Sequence, residues 1–317
     1  MATPPPYQRR AADRRGDGAD RERLLRFAFT LILVVTAGAL AWWGWQRLRS
    51  GTTRDSDPAW DRDSDRIVFT SRRNGQADVW AVRLSDGRPA SVFEQPSNES
   101  HAMLSPNGSQ LVFETDRDGN YEIYISRANG EAPRALTQHP GQDRFPSWSP
   151  DGLQIVFASS RSNPNMDLYR VNVADGSGLE QLTSGGTNAS PQFSPDGAHV
   201  AFTSGRDVHI LNLKTRAVRR VTHEPENGLH PSWSPNGRQL TFMSWRNGRA
   251  EIFIGPADGG EQQLLVSMPT GDAVDPVWSP NGQYIAFVHR PGGADETSSE
   301  ILYAVDVATR RLTRISR

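Results

Sequence analysis

The sequence of 317 residues contains no cysteine, and this absence excludes several kinds of feature. No disulfide can cross-link the fold, no Cys/His cluster can bind a metal ion, and no N-terminal cysteine can carry a lipid anchor. Lysine is almost absent as well, because Lys214 is the only lysine among 35 basic residues. Arginine in its place is typical of a GC-rich genome, and some thermophile families show the same exchange.

The common catalytic signatures are also missing. The chain has no Gly-x-Ser-x-Gly elbow, no phosphate-binding loop and no His-Glu-x-x-His motif. Its net charge is −1, and residues 1–26 carry seven arginines against four acidic residues, which leaves the remainder at about −4. An acidic body offers nucleic acid little to bind. We therefore expect no nucleic-acid partner, no cofactor, no bound metal and no catalytic residue.

One long uncharged run is present, from Phe27 to Trp45. Its nineteen residues would span roughly 28 Å as a helix, close to the hydrocarbon thickness of a bilayer. Tryptophans cluster at its far end, where indole rings favour the headgroup interface. We therefore predict a transmembrane signal-anchor helix over residues 27–46. Residues 1–26 are rich in Pro, Arg and Asp, which predicts a disordered tail, and residues 47–56 are expected to form a linker.

The arginine bias predicts the orientation of this segment. Seven arginines precede it and fewer follow, which favours a cytoplasmic N-terminus and places the remaining chain in the periplasm or otherwise outside the cytoplasm. We therefore expect a single-pass protein of the inner (cytoplasmic) membrane. A cleaved signal peptide is the alternative, because residues 37–39 and 39–41 resemble small-residue cleavage sites.

A sequence unit recurs six times between residue 57 and the C-terminus. In its full form it reads Pro-x-Trp/Phe-Ser-Pro-Asp/Asn-Gly, followed by an apolar triplet that ends in Phe, and the copies are 44, 44, 45, 40 and 45 residues apart. The first copy has residues 61–64 (Asp-Arg-Asp-Ser) in place of the Ser-Pro-Asp-Gly turn, and the second has Leu104 in place of the first aromatic. A period near forty with strand-like content is the signature of a β-propeller blade. The Ser-Pro-Asp/Asn-Gly step suits a tight turn, and the apolar triplet suits a strand covered on both faces. We predict an all-β fold over residues 57–317, a six-bladed β-propeller of four-stranded antiparallel blades preceded by one transmembrane helix.

These repeats resemble those of the TolB C-terminal propeller. The likeness is carried by Asp143–Gly152 followed by Phe157, Arg161 and Leu168-Tyr169, and it covers about residues 57–317. TolB-like propellers also occur in tricorn protease, in prolyl oligopeptidase relatives and in ectodomains of bacterial membrane sensors. The resemblance further implies that TolB has a separate N-terminal α/β domain with a TolA-binding segment. The residues before the propeller leave no room for that domain, so we expect a membrane-anchored propeller without it.

Polar residues occupy one repeated position in five of the six units, three residues before the first aromatic position. This position defines a predicted channel mouth and is filled by Asp57, His101, Phe145, Ser190, His230 and Asp275. Blades one and six adjoin in a ring, which brings the two aspartates close. His and Asp are good ligands for Zn²⁺ or Mn²⁺, so a metal or catalytic site is one interpretation. A solvated rim without such a role is the other.

An arginine follows the second strand of every unit, and one hairpin is unusually long. The arginines are Arg72, Arg117, Arg161, Arg206, Arg246 and Arg290. They could form a basic ring for an anionic partner, or they could pair with the carboxylates of Asp55, Glu99 and Asp143 as part of the scaffold. The long hairpin over residues 289–299 contains Asp295 and Glu296 and is a candidate contact element or a tolerated insertion.

The leading functional hypothesis is an extracytoplasmic, membrane-anchored scaffold or sensor of the bacterial cell envelope that binds a protein or peptide without catalysis. Its candidate contacts are the two aspartates and two histidines of the mouth together with Arg290, Asp295 and Glu296. The alternative is a metal-dependent lactonase or lyase that uses the mouth. A third interpretation, a carbohydrate sensor, draws on Trp60, Trp80 and Trp245, although most tryptophans are expected to pack within blades.

Overall fold

The computed structural model describes residues 53–162, 164–222, 228–292 and 299–316. Within these ranges the chain forms 24 strands in six antiparallel sheets of four strands each. Every sheet consists of four consecutive strands paired in chain order, so the described strands are not exchanged between sheets. The all-β, six-bladed architecture predicted from the repeat is confirmed.

The blades follow one another along the chain. Blade 1 contains β1 (Asp55–Trp60), β2 (Arg66–Ser71), β3 (Asp78–Arg83) and β4 (Ala90–Phe93). Blade 2 contains β5 (Glu99–Leu104), β6 (Gln110–Thr115), β7 (Glu122–Arg127) and β8 (Arg134–Ala135). Blade 3 contains β9 (Asp143–Trp148), β10 (Gln154–Ser159), β11 (Asp167–Asn172) and β12 (Glu180–Gln181).

The second half of the ring repeats this pattern. Blade 4 contains β13 (Asn188–Phe193), β14 (His199–Ser204), β15 (Asp207–Asn212) and β16 (Val218–Arg220). Blade 5 contains β17 (Leu229–Trp233), β18 (Gln239–Ser244), β19 (Glu251–Pro256) and β20 (Gln263–Val266). Blade 6 contains β21 (Asp272–Trp278), β22 (Tyr284–Arg290), β23 (Ile301–Asp306) and β24 (Leu312–Arg314).

The apolar triplet of each repeat forms the second strand and supplies the core between blades. The closing aromatics are almost completely buried in all six copies, namely Phe69, Phe113, Phe157, Phe202, Phe242 and Phe287. Both faces of each blade are covered by its neighbours, which explains why the second strand is apolar without alternation. The fold is thus held together by packing between blades rather than within a single central core.

The Ser-Pro-Asp/Asn-Gly step forms the turn between the first and second strands. In blade 3 the Gly152 N–H donates to the Ser149 carbonyl over 2.9 Å, and Gly152 has a φ of 74°. The Ser149 hydroxyl accepts a hydrogen bond from the Gln154 N–H at 2.9 Å. Blade 1 replaces this turn, as its divergent sequence predicts: Ser64 has the positive φ (58°), and the Asp61 carboxylate accepts from the Arg66 N–H at 3.0 Å.

Every innermost strand is interrupted at the same place by a β-bulge. The bulged residue has a positive φ of 50–57° in all six blades. These six residues are Asp57, His101, Phe145, Ser190, His230 and Asp275. A bulge bends its strand and redirects a side chain, so the predicted mouth residues share one backbone conformation.

The ring closes through contacts between blade 1 and blade 6. The Trp60 indole N–H donates to the Val277 carbonyl at 3.1 Å, and equivalent bonds run from the indoles of Trp148 and Trp233 to the preceding blade. Beside this contact, the Glu300 N–H donates to the Thr53 carbonyl at 2.7 Å. Closure therefore combines apolar packing with a backbone hydrogen bond to Thr53, which lies before the first strand.

The first strand begins earlier than the sequence predicts. The linker was expected to extend to residue 56, whereas β1 begins at Asp55. The reason is the buried Asp55 carboxylate, which accepts hydrogen bonds from the Ser71 hydroxyl at 2.7 Å and from the Arg73 guanidinium at 3.0 Å. These contacts hold the start of the strand against β2.

Several predictions fall outside the described residues. They are the tail over residues 1–26, the membrane segment over residues 27–46 and the side chains of Asp295 and Glu296. Where the chain is described, it contains no helix with the length and apolar character needed to cross a membrane.

Candidate functional site

The bulged residues of the six innermost strands surround the entrance of the central channel. The entrance is a cavity of about 90 Å³, lined by these residues and by the prolines that follow five of them. We call this entrance the channel mouth. The structure thus brings together Asp57, His101, His230 and Asp275, four of the predicted contact residues, with Phe145 and Ser190 between the two histidine-bearing blades.

Blades 1 to 3 contribute one cluster of charged groups to the mouth. His101 lies between two carboxylates, with its Nε2 3.1 Å from Asp57 Oδ1 and its Nδ1 3.1 Å from Glu114 Oε1. The second contact is an ion-pair distance without hydrogen-bond geometry. Glu114 is completely buried and also binds the Arg144 guanidinium at 2.6 Å and the Phe145 N–H at 2.8 Å. One carboxylate therefore connects blades 2 and 3.

The electrostatics of this cluster favour its charged form. Burial by itself lowers the pKa of His101, but the carboxylates of Asp57 and Glu114 outweigh burial and raise that pKa well above its ordinary value. Burial raises the pKa of Glu114, yet His101 and Arg144 lower it to about 2. The pKa of Asp57 is likewise lowered, because His101 outweighs burial. We therefore expect an imidazolium between two carboxylates at neutral pH.

Blades 5 and 6 contribute a second cluster. His230 Nδ1 lies 3.1 Å from Asp275 Oδ1, and Asp275 Oδ2 lies 3.4 Å from the Arg290 guanidinium. Arg290 also contacts Glu300 at 3.2 Å. Burial raises the pKa of Glu300 despite the nearby arginines. Three of the predicted contact residues, His230, Asp275 and Arg290, thus form one connected group.

The remaining arc of the mouth is less polar. The Phe145 ring meets the His101 imidazole edge to face, with the ring centroids 4.6 Å apart. The Ser190 hydroxyl oxygen is buried and has no hydrogen-bond partner within the described part of the chain. The mouth therefore has a charged arc on blades 5, 6, 1 and 2 and a weakly polar arc on blades 3 and 4.

The arginines that follow the second strands serve the scaffold in blades 1 to 3. Each binds the carboxylate that begins the innermost strand of its own blade, as the scaffold interpretation predicts. The pairs are Arg73–Asp55 at 3.0 Å, Arg117–Glu99 at 3.1 Å and Arg161–Asp143 at 2.6 Å. In blade 1 the pairing residue is Arg73 rather than the predicted Arg72, because Arg73 stands four residues after the closing Phe of its unit, the same spacing as Arg117 and Arg161.

The tryptophans considered for carbohydrate binding have different environments. Trp60 is buried at the junction of blades 1 and 6, and Trp80 carries the Arg73 guanidinium on its ring. Trp245 is 41% exposed. Two of the three therefore belong to blade packing, as expected for a propeller.

The donor groups of the mouth do not fit a metal ion. Among the described residues, no group of three or more His, Asp and Glu side chains has an arrangement that could hold one. Both ring nitrogens of His101 face carboxylates, and a protonated imidazole has no lone pair to offer a metal. His230 belongs to the other cluster, with Asp275 as its partner.

Sequence reasoning missed two residues of the site, Glu114 and Arg144. Glu114 follows the closing Phe of its unit, a position that holds Thr70, Ala158 and Thr203 in other blades. The other units hold small or apolar residues at this position, so the glutamate was the feature of the sequence that could have identified Glu114. Arg144 directly precedes the bulged Phe145, and nothing in its own unit distinguishes it.

Fold and mouth together define the class of protein: a six-bladed β-propeller with a narrow, charged channel entrance. The chain belongs to the TolB beta propeller domain family, which it matches over residues 92–207 and, in an overlapping match, over residues 180–316. The TolB-like resemblance predicted from the repeats is thereby confirmed.

Known relatives share short stretches of sequence with the chain. The Tol-Pal system protein TolB of Syntrophus aciditrophicus is 40% identical over 52 residues, which cover 16% of this chain and 12% of that protein. The uncharacterized peptidase YuxL of Bacillus subtilis is 36% identical over 66 residues, which cover 20% of this chain and 10% of that protein. The matches thus span about a tenth of the length of these relatives.

Solved structures agree in fold. TolB from Acinetobacter baumannii has a TM-score of 0.55 at 22% identity, with 79% of this chain and 65% of that chain covered. An oligogalacturonate lyase in complex with manganese has a TM-score of 0.58 at 18% identity, with 84% and 78% covered. At these identities the likeness concerns the fold alone.

Proposed function

We propose that the chain is a non-catalytic scaffold or sensor of the bacterial cell envelope that binds a protein or peptide at the channel mouth. The observation that carries this proposal is the state of the charged groups there. His101 and His230 each contact carboxylates, in two clusters of polar and charged side chains around a small open cavity. Such a surface is preorganised for binding, because its side chains lose little freedom when a partner docks.

Membership of the TolB beta propeller domain family supports this role. Rigid repeat scaffolds commonly present binding surfaces, and relatives of this chain include Tol-Pal system proteins. The envelope location rests on the sequence of residues 27–46, which we propose to anchor the propeller outside the cytoplasm. Reporter fusions test this: alkaline phosphatase fused after residue 317 should be active, whereas activity of a cytoplasm-dependent reporter at that position would contradict the orientation.

Photo-crosslinking in intact cells tests the binding surface. A photoreactive amino acid at Arg206, in the exposed β14–β15 turn on the mouth face, should give a discrete crosslinked product. The matched control replaces Asn236, in the exposed turn of blade 5 on the opposite face. Mass spectrometry then identifies the partner. Equal products from both positions, or none from Arg206 and other mouth-face positions, would contradict the proposal.

The second candidate is a metal-dependent lactonase or lyase that acts at the mouth, where the described side chains would have to rearrange to bind the metal. The fold likeness to an oligogalacturonate lyase in complex with manganese favours keeping this candidate. Elemental analysis of the protein purified without chelators discriminates the two. Stoichiometric metal in the wild type that is lost in the His101→Ala/His230→Ala double variant would support the enzyme over the scaffold.

A further inference from the structure

The two aspartates of the mouth occupy neighbouring positions at the junction where the ring closes. Asp275 and Asp57 are the bulged residues of β21 and β1, and these strands adjoin. His230 contacts Asp275 on one side, and His101 contacts Asp57 on the other. The order around the channel is therefore His, Asp, Asp, His, with the two carboxylates in the middle.

Both carboxylates retain capacity to accept hydrogen bonds. Asp57 Oδ1 contacts His101, its Oδ2 accepts one bond from the Ser56 hydroxyl at 2.9 Å, and the Thr70 hydroxyl also donates to this carboxylate. Asp275 Oδ1 contacts His230, and its Oδ2 has a long contact of 3.4 Å to Arg290, whose side chain is 43% exposed. A carboxylate has about four acceptor positions, so each aspartate can accept further donors from a ligand.

The charge of the mouth favours a cation as that ligand. The cavity lining places the carboxylates of Asp57 and Asp275 side by side, with a histidine on the outer side of each. The charged groups directly behind the lining balance one another: they are Glu114, Glu300, Arg144 and Arg290. An anion would have to approach two carboxylates, which costs Coulomb energy.

A separate observation on the opposite wall points to a ligand with a carbonyl group. Ser190 lies in blade 4, across the ring from blade 1, and lines the same cavity. Its hydroxyl oxygen is buried and has no hydrogen-bond partner within the described chain. A buried donor without a partner is unfavourable, and the carbonyl of a bound peptide would supply the missing acceptor.

We propose that the channel mouth binds a primary ammonium group of its partner between Asp57 and Asp275, with the adjoining peptide carbonyl at the Ser190 hydroxyl. This deepens, and rests on, the binding role proposed above. An ammonium offers three donors and no acceptor, which matches two carboxylates. A cavity of about 90 Å³ admits a group of this size. A free amino terminus carries such a carbonyl beside its ammonium, whereas a lysine side chain offers the ammonium alone, so an amino terminus is the expected source.

Calorimetric titration of the full-length protein in detergent tests the proposal with defined probes. The probes are Ala-Ala-Ala amide with a free amino terminus, the same peptide acetylated at its N-terminus, and N-acetyl-lysine amide. We expect a free amine to bind at least tenfold more tightly than the acetylated tripeptide. Binding by the tripeptide supports an amino terminus as the source, whereas binding by the lysine derivative alone would overturn the carbonyl contact at Ser190. Equal binding of the free and acetylated tripeptides, or binding of none of the probes, would overturn the proposal.

Variants assign the binding to the mouth. Asp275→Asn and Asp57→Asn should each weaken amine binding at least tenfold, while Asp196→Asn, an exposed aspartate in a turn on the opposite face, should leave it within twofold. Circular dichroism shows whether each variant is folded. The comparison of free with acetylated peptide uses the wild type and does not depend on the variants. A partner that crosslinks at Arg206 while the amine probes fail would refute this inference alone; amine binding without any crosslinked partner would refute the scaffold role instead.

Discussion

At the scale of single residues, the mouth is organised by Glu114. This buried carboxylate accepts hydrogen bonds from the Ser100 hydroxyl, the Arg144 guanidinium and the Phe145 N–H, and it faces His101. A buried carboxylate is tolerated only when its partners compensate for lost hydration. Glu114 therefore fixes the position of His101 without lining the cavity itself.

Removing the charge of Glu114 should destabilise the propeller. Glu114→Gln leaves Arg144 and His101 without their shared anion, and we expect a loss of about 2–4 kcal/mol in the free energy of unfolding. The expected loss is somewhat smaller than the loss for breaking a fully buried ion pair, since the Arg144 and His101 side chains are 27% and 22% exposed. Urea denaturation measures the loss. Glu131→Gln, which breaks the exposed ion pair with Arg127, is the matched control and should change stability little.

At the scale of elements, the sequence predicted strands and turns well and the bulge not at all. The Ser-Pro-Asp/Asn-Gly signature identifies a turn because Pro and Gly restrict or permit specific backbone angles. The bulged position has no such signature: it holds Asp, His, Phe or Ser, and only Asp and His readily adopt a positive φ. Its conformation follows from pairing between strands, which residue types at one position do not reveal.

The bulge predicts different tolerance to two substitutions at Ser190, where φ is 50°. Ser190→Val should destabilise the protein by about 1–3 kcal/mol, because a β-branched side chain is strained at positive φ. Ser190→Gly should be close to neutral, since glycine accepts this φ and the hydroxyl has no partner to lose. Thermal and urea unfolding measure both. If valine and glycine were tolerated equally, the bulge would not be constrained as described.

At the scale of the whole molecule, the blade number and the mouth position followed from the repeat, whereas the closure contacts did not. Six copies of one unit predict six blades, and equivalent residues of a ring must share one face. The contact between Thr53 and Glu300 joins residues far apart in the sequence, outside any repeated pattern. The contact between His101 and Glu114 could likewise not be predicted from the sequence, because the two side chains come from different strands of blade 2.

The charge cluster across blades 1 to 3 predicts how global stability depends on pH. The raised pKa of His101 stabilises the fold fully below its unfolded-state pKa of about 6.5, and this contribution disappears as pH rises through the higher folded-state pKa. The lowered pKa of Glu114, about 2, stabilises the fold above about pH 4.5, and this contribution is lost as pH falls toward 2.

The difference in stability between the wild type and His101→Gln should therefore be largest between about pH 4.5 and 6.5 and shrink at alkaline pH. Urea denaturation of both proteins from acid to alkaline pH measures this difference. His199→Gln, at the half-buried first residue of β14 near the opposite face, is the control. A difference that grows as pH rises would show the sign of the His101 contribution to be wrong.

The charged side chains of the mouth hold one another in place, which makes the mouth a preformed binding surface. NMR titration of the His101 imidazole, assigned by its loss in His101→Gln, tests this claim most directly. We predict that His101 stays protonated through neutral pH and shows no midpoint near the ordinary histidine pKa of about 6.5. A midpoint at or below about 6.5 would contradict the account, because the imidazole would then not be held between Asp57 and Glu114.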